Sequence, residues 1–121
     1  MQGGAKAYGK VARASVNQRT LEADLLLTAA SQLQAIHDAW DAKRCDLDQA
    51  LQFNRKLWTI FLTEATSKNN PLPAEIRQNV ANLGLFVIKH TMSMLSNPKP
   101  AQLGSLIAIN RELAAGLRGA A

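Results

Sequence analysis

The sequence predicts an all-α protein, a single-domain helical bundle of about four helices preceded by a basic N-terminal arm. Apolar residues recur at alternating steps of three and four, which is the period of an amphipathic helix. Alanine and leucine dominate the apolar residues and favour helix over strand. No stretch shows strand-like alternation. A chain of 121 residues suits one domain with a cooperative core.

The N-terminal arm, residues 1–17, carries most of the net charge of +5 and is expected to be mobile or to form a short helix. Lys6, Lys10, Arg13 and Arg19 all precede the first acidic residue, Glu22. Residues 20–121 then hold 10 basic side chains, the 14 of the whole chain less these four, against 9 acidic ones. With Arg19 included, the bundle domain, 18–121, holds 11 basic and 9 acidic side chains and is thus nearly balanced. RNA, an acidic partner or solubility would each explain the arm.

The first long helix is predicted over about residues 18–42, with Asn17 as its N-cap. Its buried stripe is predicted to contain Leu26, Ala29, Leu33, Ile36 and Trp40, widened by Leu21 and Leu25. A second helix is expected to start at Asp46, with Gln49 completing a capping box.

A proline corner, SKNNPLP, ends the second helix because Asn70 and Leu72 each precede a proline and so disfavour the helical region. Pro73 is predicted to occupy the first position of a third helix, about 73–96, where its missing N–H is harmless. The segment NPKP ends that helix, and a fourth is predicted over about 100–118.

Two asparagines interrupt the apolar stripes of the second and fourth helices. The stripe of the second helix includes Leu47, Leu51, Trp58 and Phe61, and that of the fourth includes Leu103, Leu106, Leu113 and Leu117. A buried amide costs about 1–3 kcal/mol unless its hydrogen bonds are satisfied. Asn54 and Asn110 are therefore predicted to satisfy each other or to bind carbonyls at helix ends, with Arg55 and Arg111 at the core edge, as a structural polar lock. Direct contact of these residues with a partner remains the alternative.

The third helix has a second apolar face, roughly 120° from the first at 100° per residue. Leu85, Ile88, Met92 and Leu95 form this face. It is either ordinary bundle core or a groove for an amphipathic helix, and Met92 suits both because methionine adapts to irregular contacts.

No catalytic, cofactor or metal site is predicted. The segment GAKAYGKV lacks the hydroxyl of a phosphate-binding loop, and no serine has a histidine suitably placed to activate it. His37 and Asp41 share a helix face but lack the further ligands that a metal needs. The lone Cys45 fits a reducing compartment, and no targeting segment or membrane span is recognised, so a cytoplasmic, non-enzymatic protein is expected.

Several segments together resemble the FlaF family of flagellar biosynthesis regulators from alphaproteobacteria. The resemblance covers nearly the whole chain and includes NRKLWTIF (54–61), NNPLPAEIRQNVANLGLFVIKHT (69–91) and LIAINRELAAGL (106–117), with AYGKVAR (7–13) and LEADLLLTAASQL (21–33) before them. One departure is the start of the first long helix, which reads NQRT (17–20) where the family often has Ser/Thr-Pro-Arg-Glu.

The resemblance implies a flagellin-binding secretion chaperone that helps couple flagellin synthesis to export. Flagellin would lie against Leu85, Ile88, Met92 and Leu95, with Tyr8 of the arm folding over it. The alternative is a regulator of flagellin translation that acts through an FlbT-type protein or flagellin mRNA. The charge balance of the bundle argues against direct nucleic-acid binding. A purely structural, self-associating element is the third class.

Overall fold

The computed structural model describes the backbone of residues 2–119 and the side chains of residues 17–119. Four long helices and one short helix follow in chain order: α1 (Gln2–Asp38), α2 (Trp40–Lys43), α3 (Leu47–Ala65), α4 (Ala74–Ser96) and α5 (Leu103–Gly119). Short 3₁₀ turns precede α3 and α5. No strand occurs in this part of the chain, and the predicted all-α class is confirmed.

The helices pack as two pairs joined through α1 and α3. Helix α5 lies along α1, α4 lies along α3, and α1 also contacts α3. Most residues of the predicted stripes form the core: Leu26, Ala29, Leu33 and Ile36 of α1 are buried together with most of the stripe residues of α3, α4 and α5. Leu21, which was predicted to widen the stripe of α1, is 55% exposed, so that part of the prediction is wrong. Burial of each large side chain contributes about 1.5–3 kcal/mol before chain entropy is counted.

The bounds of α1 differ from the predicted ones at both ends. Asn17 lies inside α1 rather than at its N-cap, so the predicted cap is wrong. At the other end the helix breaks at Ala39, whose backbone angles are φ −132° and ψ 51°. Trp40 therefore starts the short α2 and is half-buried, with the Arg44 guanidinium 5.7 Å from its ring centroid.

The predicted capping box at the start of α3 is also wrong. Asp46 is the N-cap residue, but its side chain makes no capping hydrogen bond. The 3₁₀ turn Arg44–Asp46 runs directly into α3, so Asp46 has helical backbone angles, φ −87° and ψ −8°, instead of the extended angles that a capping side chain needs.

The proline corner is held by a single asparagine. Asn70 Nδ2 donates to the Glu64 carbonyl at 2.9 Å, and Asn70 Oδ1 accepts from the Leu72 N–H at 2.9 Å. The first bond satisfies a carbonyl at the C-terminal end of α3, and the second closes the turn. Pro73 then serves as the N-cap of α4, one position before the predicted one, and its carbonyl accepts from the Arg77 N–H.

The connection between α4 and α5 is fastened by a histidine. His90 Nε2 donates to the Gln102 carbonyl at 2.8 Å, and the Phe86 ring stacks on the imidazole with centroids 5.3 Å apart. This bond fixes the 3₁₀ turn Pro100–Gln102 against α4, so the start of α5 has a defined position beside the core.

We predict that Gly116→Ala stabilises the fold. Gly116 is exposed within α5, and a Cβ placed there would meet no heavy atom within 4 Å. Alanine in a helix interior is favoured over glycine by about 0.5–1 kcal/mol because it loses less backbone entropy on folding. Urea unfolding measures the difference. Gly119→Ala, at the last residue of α5, is the matched control and is expected to change little. A destabilised Gly116→Ala variant would contradict the packing described for α5.

Candidate functional site

Helix α4 buries one apolar face and leaves the other partly open. Val80, Val87, Thr91 and Met94 face the core. On the second face Leu85 is 53% exposed and Met92 is 54% exposed, whereas Ile88 and Leu95 are half-buried. Leu85 and Met92 lie two helical turns apart, with Ile88 between them. These side chains therefore form a continuous apolar surface rather than single exposed residues.

Helix α3 provides the opposite wall of a groove along this face. Ile60, which is 54% exposed, lines a cleft of about 590 Å³ together with Ile88, Arg55, Lys56 and Thr59. The Thr59 hydroxyl donates to the Arg55 carbonyl of its own helix at 2.8 Å, so its donor is already used. Of the second face of α4, Ile88 lines this cleft, whereas Leu85, Met92 and Leu95 are its neighbours along the surface of the helix. We call the surface formed by Ile60, Leu85, Ile88, Met92 and Leu95 the α3–α4 groove.

The two walls of the groove approach closely at Gly84. A Cβ placed on Gly84 would lie 3.5 Å from the Leu62 side chain and 3.7 Å from Trp58 Cε3, at ordinary van der Waals distance. Helix α4 thus lies near α3 at Gly84, although a methyl group would still fit there, and half-buried Leu62 lies between the walls. The groove is shallow because its base is filled in this way.

A buried polar network lies on the inner side of α3. Trp58 Nε1 donates to Asn110 Oδ1 at 2.8 Å, and Asn110 Nδ2 donates to Asn54 Oδ1 at 2.7 Å and, more weakly, to the Leu26 carbonyl at 3.4 Å. Asn54, Trp58 and Asn110 are completely buried. The network joins α1, α3 and α5, and in this conformation neither asparagine is accessible to a partner. Asn54 Nδ2 has no hydrogen-bond partner among the described residues.

The two arginines that follow these asparagines lie outside the network. Arg55 is half-buried and lines the groove, whereas Arg111 is exposed and donates from Nη2 to Gln34 Oε1 at 3.4 Å. The predicted group of four residues therefore separates into a buried pair, Asn54 and Asn110, and two arginines at different surfaces. Tyr8, which was predicted to cover the groove, lies outside the residues whose side chains the structure describes.

Three contributions to these sites were missing from the sequence prediction. The indole N–H of Trp58 and the carbonyl of Leu26 complete the network, and Ile60 completes the groove. The role of Trp58 could have been predicted from the sequence. A buried indole N–H needs a hydrogen-bond acceptor, and Trp58 shares its stripe with an asparagine. Ile60 had a weaker one, an isoleucine outside the stripe of α3 and one turn after Lys56.

A second cleft, of about 470 Å³, lies between α1 and the proline corner. Glu22 of α1 and Glu64 of α3 both line it. Burial raises the pKa of Glu64 above its usual value, and the charge and hydrogen bond of Glu22 raise it further. Two carboxyl groups at close range disfavour simultaneous ionisation, so this end of the bundle carries electrostatic strain when both are charged.

The described residues offer no group of three or more metal-ligating side chains. His37 Nδ1 lies 3.1 Å from Asp38 Oδ1 rather than pairing with Asp41. The hydrogen bonds from His37 and Gln34 hold the pKa of Asp38 below its usual value. Between residues 2 and 119, no helix is both long enough and apolar enough to cross a membrane.

Comparison with known proteins gives one match. A family model described as flagellar protein FlaF matches residues 4–117, which is nearly the whole chain. No curated protein and no solved structure shows significant similarity. The matched range includes α3, α4 and the polar network.

We predict that Asn110→Ala destabilises the fold more than Asn54→Ala. The first change leaves both Trp58 Nε1 and Asn54 Oδ1 without a partner and should cost about 2–4 kcal/mol. The second removes one acceptor together with an amide that has no partner, and should cost about 1–2 kcal/mol. Urea unfolding gives both values, with exposed Asn79→Ala as the control. The reverse order would contradict the hydrogen-bond assignment.

We also predict that Glu64→Gln stabilises the fold at neutral pH. A carboxyl group whose pKa is raised on folding binds its proton more tightly in the folded state. The favourable contribution of Glu64 to stability is thus present below the pKa of the unfolded state, 4.5, and is lost as the pH rises through the pKa of the folded state.

The stability difference between the Glu64→Gln variant and the wild type should therefore be largest near neutral pH and shrink towards pH 4. Glu112→Gln, on the exposed side of α5, is the matched control in thermal melts across this range. A difference that does not depend on pH would rule out the raised pKa of Glu64.

Proposed function

The chain belongs to the FlaF family of flagellar proteins, and from this we propose that it is a non-enzymatic cytoplasmic factor that binds flagellin as a secretion chaperone. In this role it helps to couple flagellin synthesis to export. The proposal narrows the family's flagellar role to one partner and one surface. The observation that carries it is the pair Leu85 and Met92, each more than half exposed on a helix whose opposite face is buried in the core.

The α3–α4 groove suits a helical partner. Its apolar residues on α4 stand at positions 85, 88, 92 and 95, the spacing with which one helix packs against another. Both walls are regular helices tied to the core, so the groove is already formed before binding and little ordering is needed when a helix docks. An amphipathic helix laid in such a groove buries its apolar face against these residues.

The physical task of a flagellin chaperone fits this geometry. Flagellin's terminal segments are amphipathic and assemble with other copies when their apolar faces are free. Docking of one such segment in the groove hides that face, and the subunit remains monomeric until export. A preformed groove also releases its client without unfolding of the bundle, which a factor that acts repeatedly requires.

We predict that Leu85→Asp and Met92→Asp each weaken flagellin binding by roughly tenfold or more, because each places a charge in the apolar contact. Isothermal calorimetry with purified flagellin measures the affinity. Both side chains are mostly exposed, so circular dichroism and melting temperature should stay near those of the wild type. Ile88→Asp should weaken binding further, although its half-buried position also affects the fold.

The matched control is Leu21→Asp, since Leu21 of α1 is 55% exposed and lies outside the groove. This variant should bind flagellin like the wild type. Unchanged affinity of the Leu85 and Met92 variants would exclude the groove as the contact surface. Failure of the wild-type chain to bind flagellin would reject the chaperone role and favour translational regulation through an FlbT-type protein or flagellin mRNA.

A further inference from the structure

We propose that the α3–α4 groove selects amphipathic helices whose apolar stripe is bordered by carboxylates. The inference rests on the proposed function and states the chemistry of the segment that the groove accepts. It follows from the charged side chains that border the groove, which are all basic. None of these charged groups forms one of the contacts that were described above as holding the fold.

The edges of the groove carry basic side chains from both helices. Arg55 and Lys56 line the cleft from α3, together with Ile60. On α4, Lys89 follows Leu85 by four residues and precedes Met92 by three, so it lies on the same outer face as both. We call Arg55, Lys56 and Lys89 the basic rim. The aliphatic stems of such residues extend an apolar surface while their charged ends remain at its border.

No acidic residue neutralises this rim. The sequence has no aspartate or glutamate between residues 49 and 63, nor between residues 76 and 111. Asp48 comes two turns before Arg55, at the start of α3. Neither the ion pair of Asp24 with Arg118 nor that of Asp38 with His37 includes a rim residue. The positive charge of the rim is thus available to a partner.

A helix with acidic flanks complements this arrangement at both of its edges. When its apolar stripe contacts Leu85, Ile88 and Met92, the flanking carboxylates come near the ends of Arg55 and Lys56 on one side and Lys89 on the other. Complementary charges of this kind raise the association rate and reject partners of the wrong sign. A helix with lysine flanks meets like charges along both walls.

The same charges disfavour a second copy of this chain as the occupant. A symmetric pair of chains joined groove to groove brings two identical surfaces together. The two basic rims then face each other across the contact, where like charges repel. The groove is therefore better suited to a chemically different helix than to self-association.

Two synthetic peptides test the inference without reference to flagellin. Both form helices with the same leucine and isoleucine stripe, and they differ only in whether glutamate or lysine borders it. Fluorescence anisotropy with the whole chain should show tighter binding of the glutamate peptide by roughly tenfold at low salt, with the gap closing as salt rises, because exposed charges are screened. Equal affinity for the two peptides, or binding of neither, would overturn the inference.

Reversal of the charges of the basic rim tests whether its three residues cause the peptide preference. Arg55→Glu, Lys56→Glu and Lys89→Glu combined should invert the peptide preference, with each change contributing roughly two- to fivefold. A variant with Lys43→Glu, Lys68→Glu and Arg111→Glu changes the net charge equally but at exposed positions outside the groove, and should keep the wild-type preference. A control variant that also inverts the preference would show that net charge alone decides.

Flagellin measured in parallel separates this inference from the proposed function. If wild-type and rim-reversed chains bind flagellin equally at low salt, the rim has no role in client recognition and the inference fails while the chaperone role stands. If the wild-type chain binds the glutamate peptide but not flagellin, the groove chemistry stands and the proposed client is wrong. A dimer that light scattering detects, and that Met92→Asp disrupts, would show a second copy as the occupant.

Discussion

The buried hydrogen bonds of Asn110 are the constraint on which the arrangement of the helices depends. The Asn110 amide connects Trp58 and Asn54 of α3 to α5, and it also reaches the Leu26 carbonyl of α1. Apolar contacts alone permit helices to slide along or rotate about one another at small cost, whereas buried polar groups are satisfied in one register. The amides thus stabilise the fold less than apolar side chains at these positions would, but they fix a single relative position of the three helices.

That position also determines where the groove lies. Trp58 donates a hydrogen bond to Asn110 on one side and approaches Gly84 of α4 on the other. The polar network and the contact between α3 and α4 therefore both depend on the orientation of the Trp58 side chain. Asn54 points into the core, and the next two residues, at successive rotations of 100°, bring Arg55 and Lys56 to the groove. One Asn-Arg sequence serves the interior with its first residue and the surface with its second.

The sequence was sufficient to predict features that depend on the helical period of apolar residues. It was insufficient to predict features that depend on contacts with other segments of the chain. Stripe residues such as Leu26, Leu51 and Leu106 are buried as their spacing predicts, because a helix exposes its faces regularly. The missing cap at Asp46 depends on how the 3₁₀ turn joins α2 to α3, and no local motif specifies that turn or the break at Ala39. The partner of the Trp58 indole lies 52 residues away in the chain, so only the folded arrangement identifies it.

An exposed apolar surface on a small protein carries a risk, because it can pair with copies of itself or with unrelated chains. The basic rim reduces that risk at the same place where the surface is exposed. Charge at the border of an apolar contact weakens binding of like-charged surfaces by several-fold while leaving the apolar face intact for a complementary one. In the proposed role, the apolar residues determine how strongly a helix is held, and the rim determines which helix is held. Such a division of roles requires both sets of residues to keep fixed positions, and the buried network of α1, α3 and α5, through Trp58, supplies that rigidity.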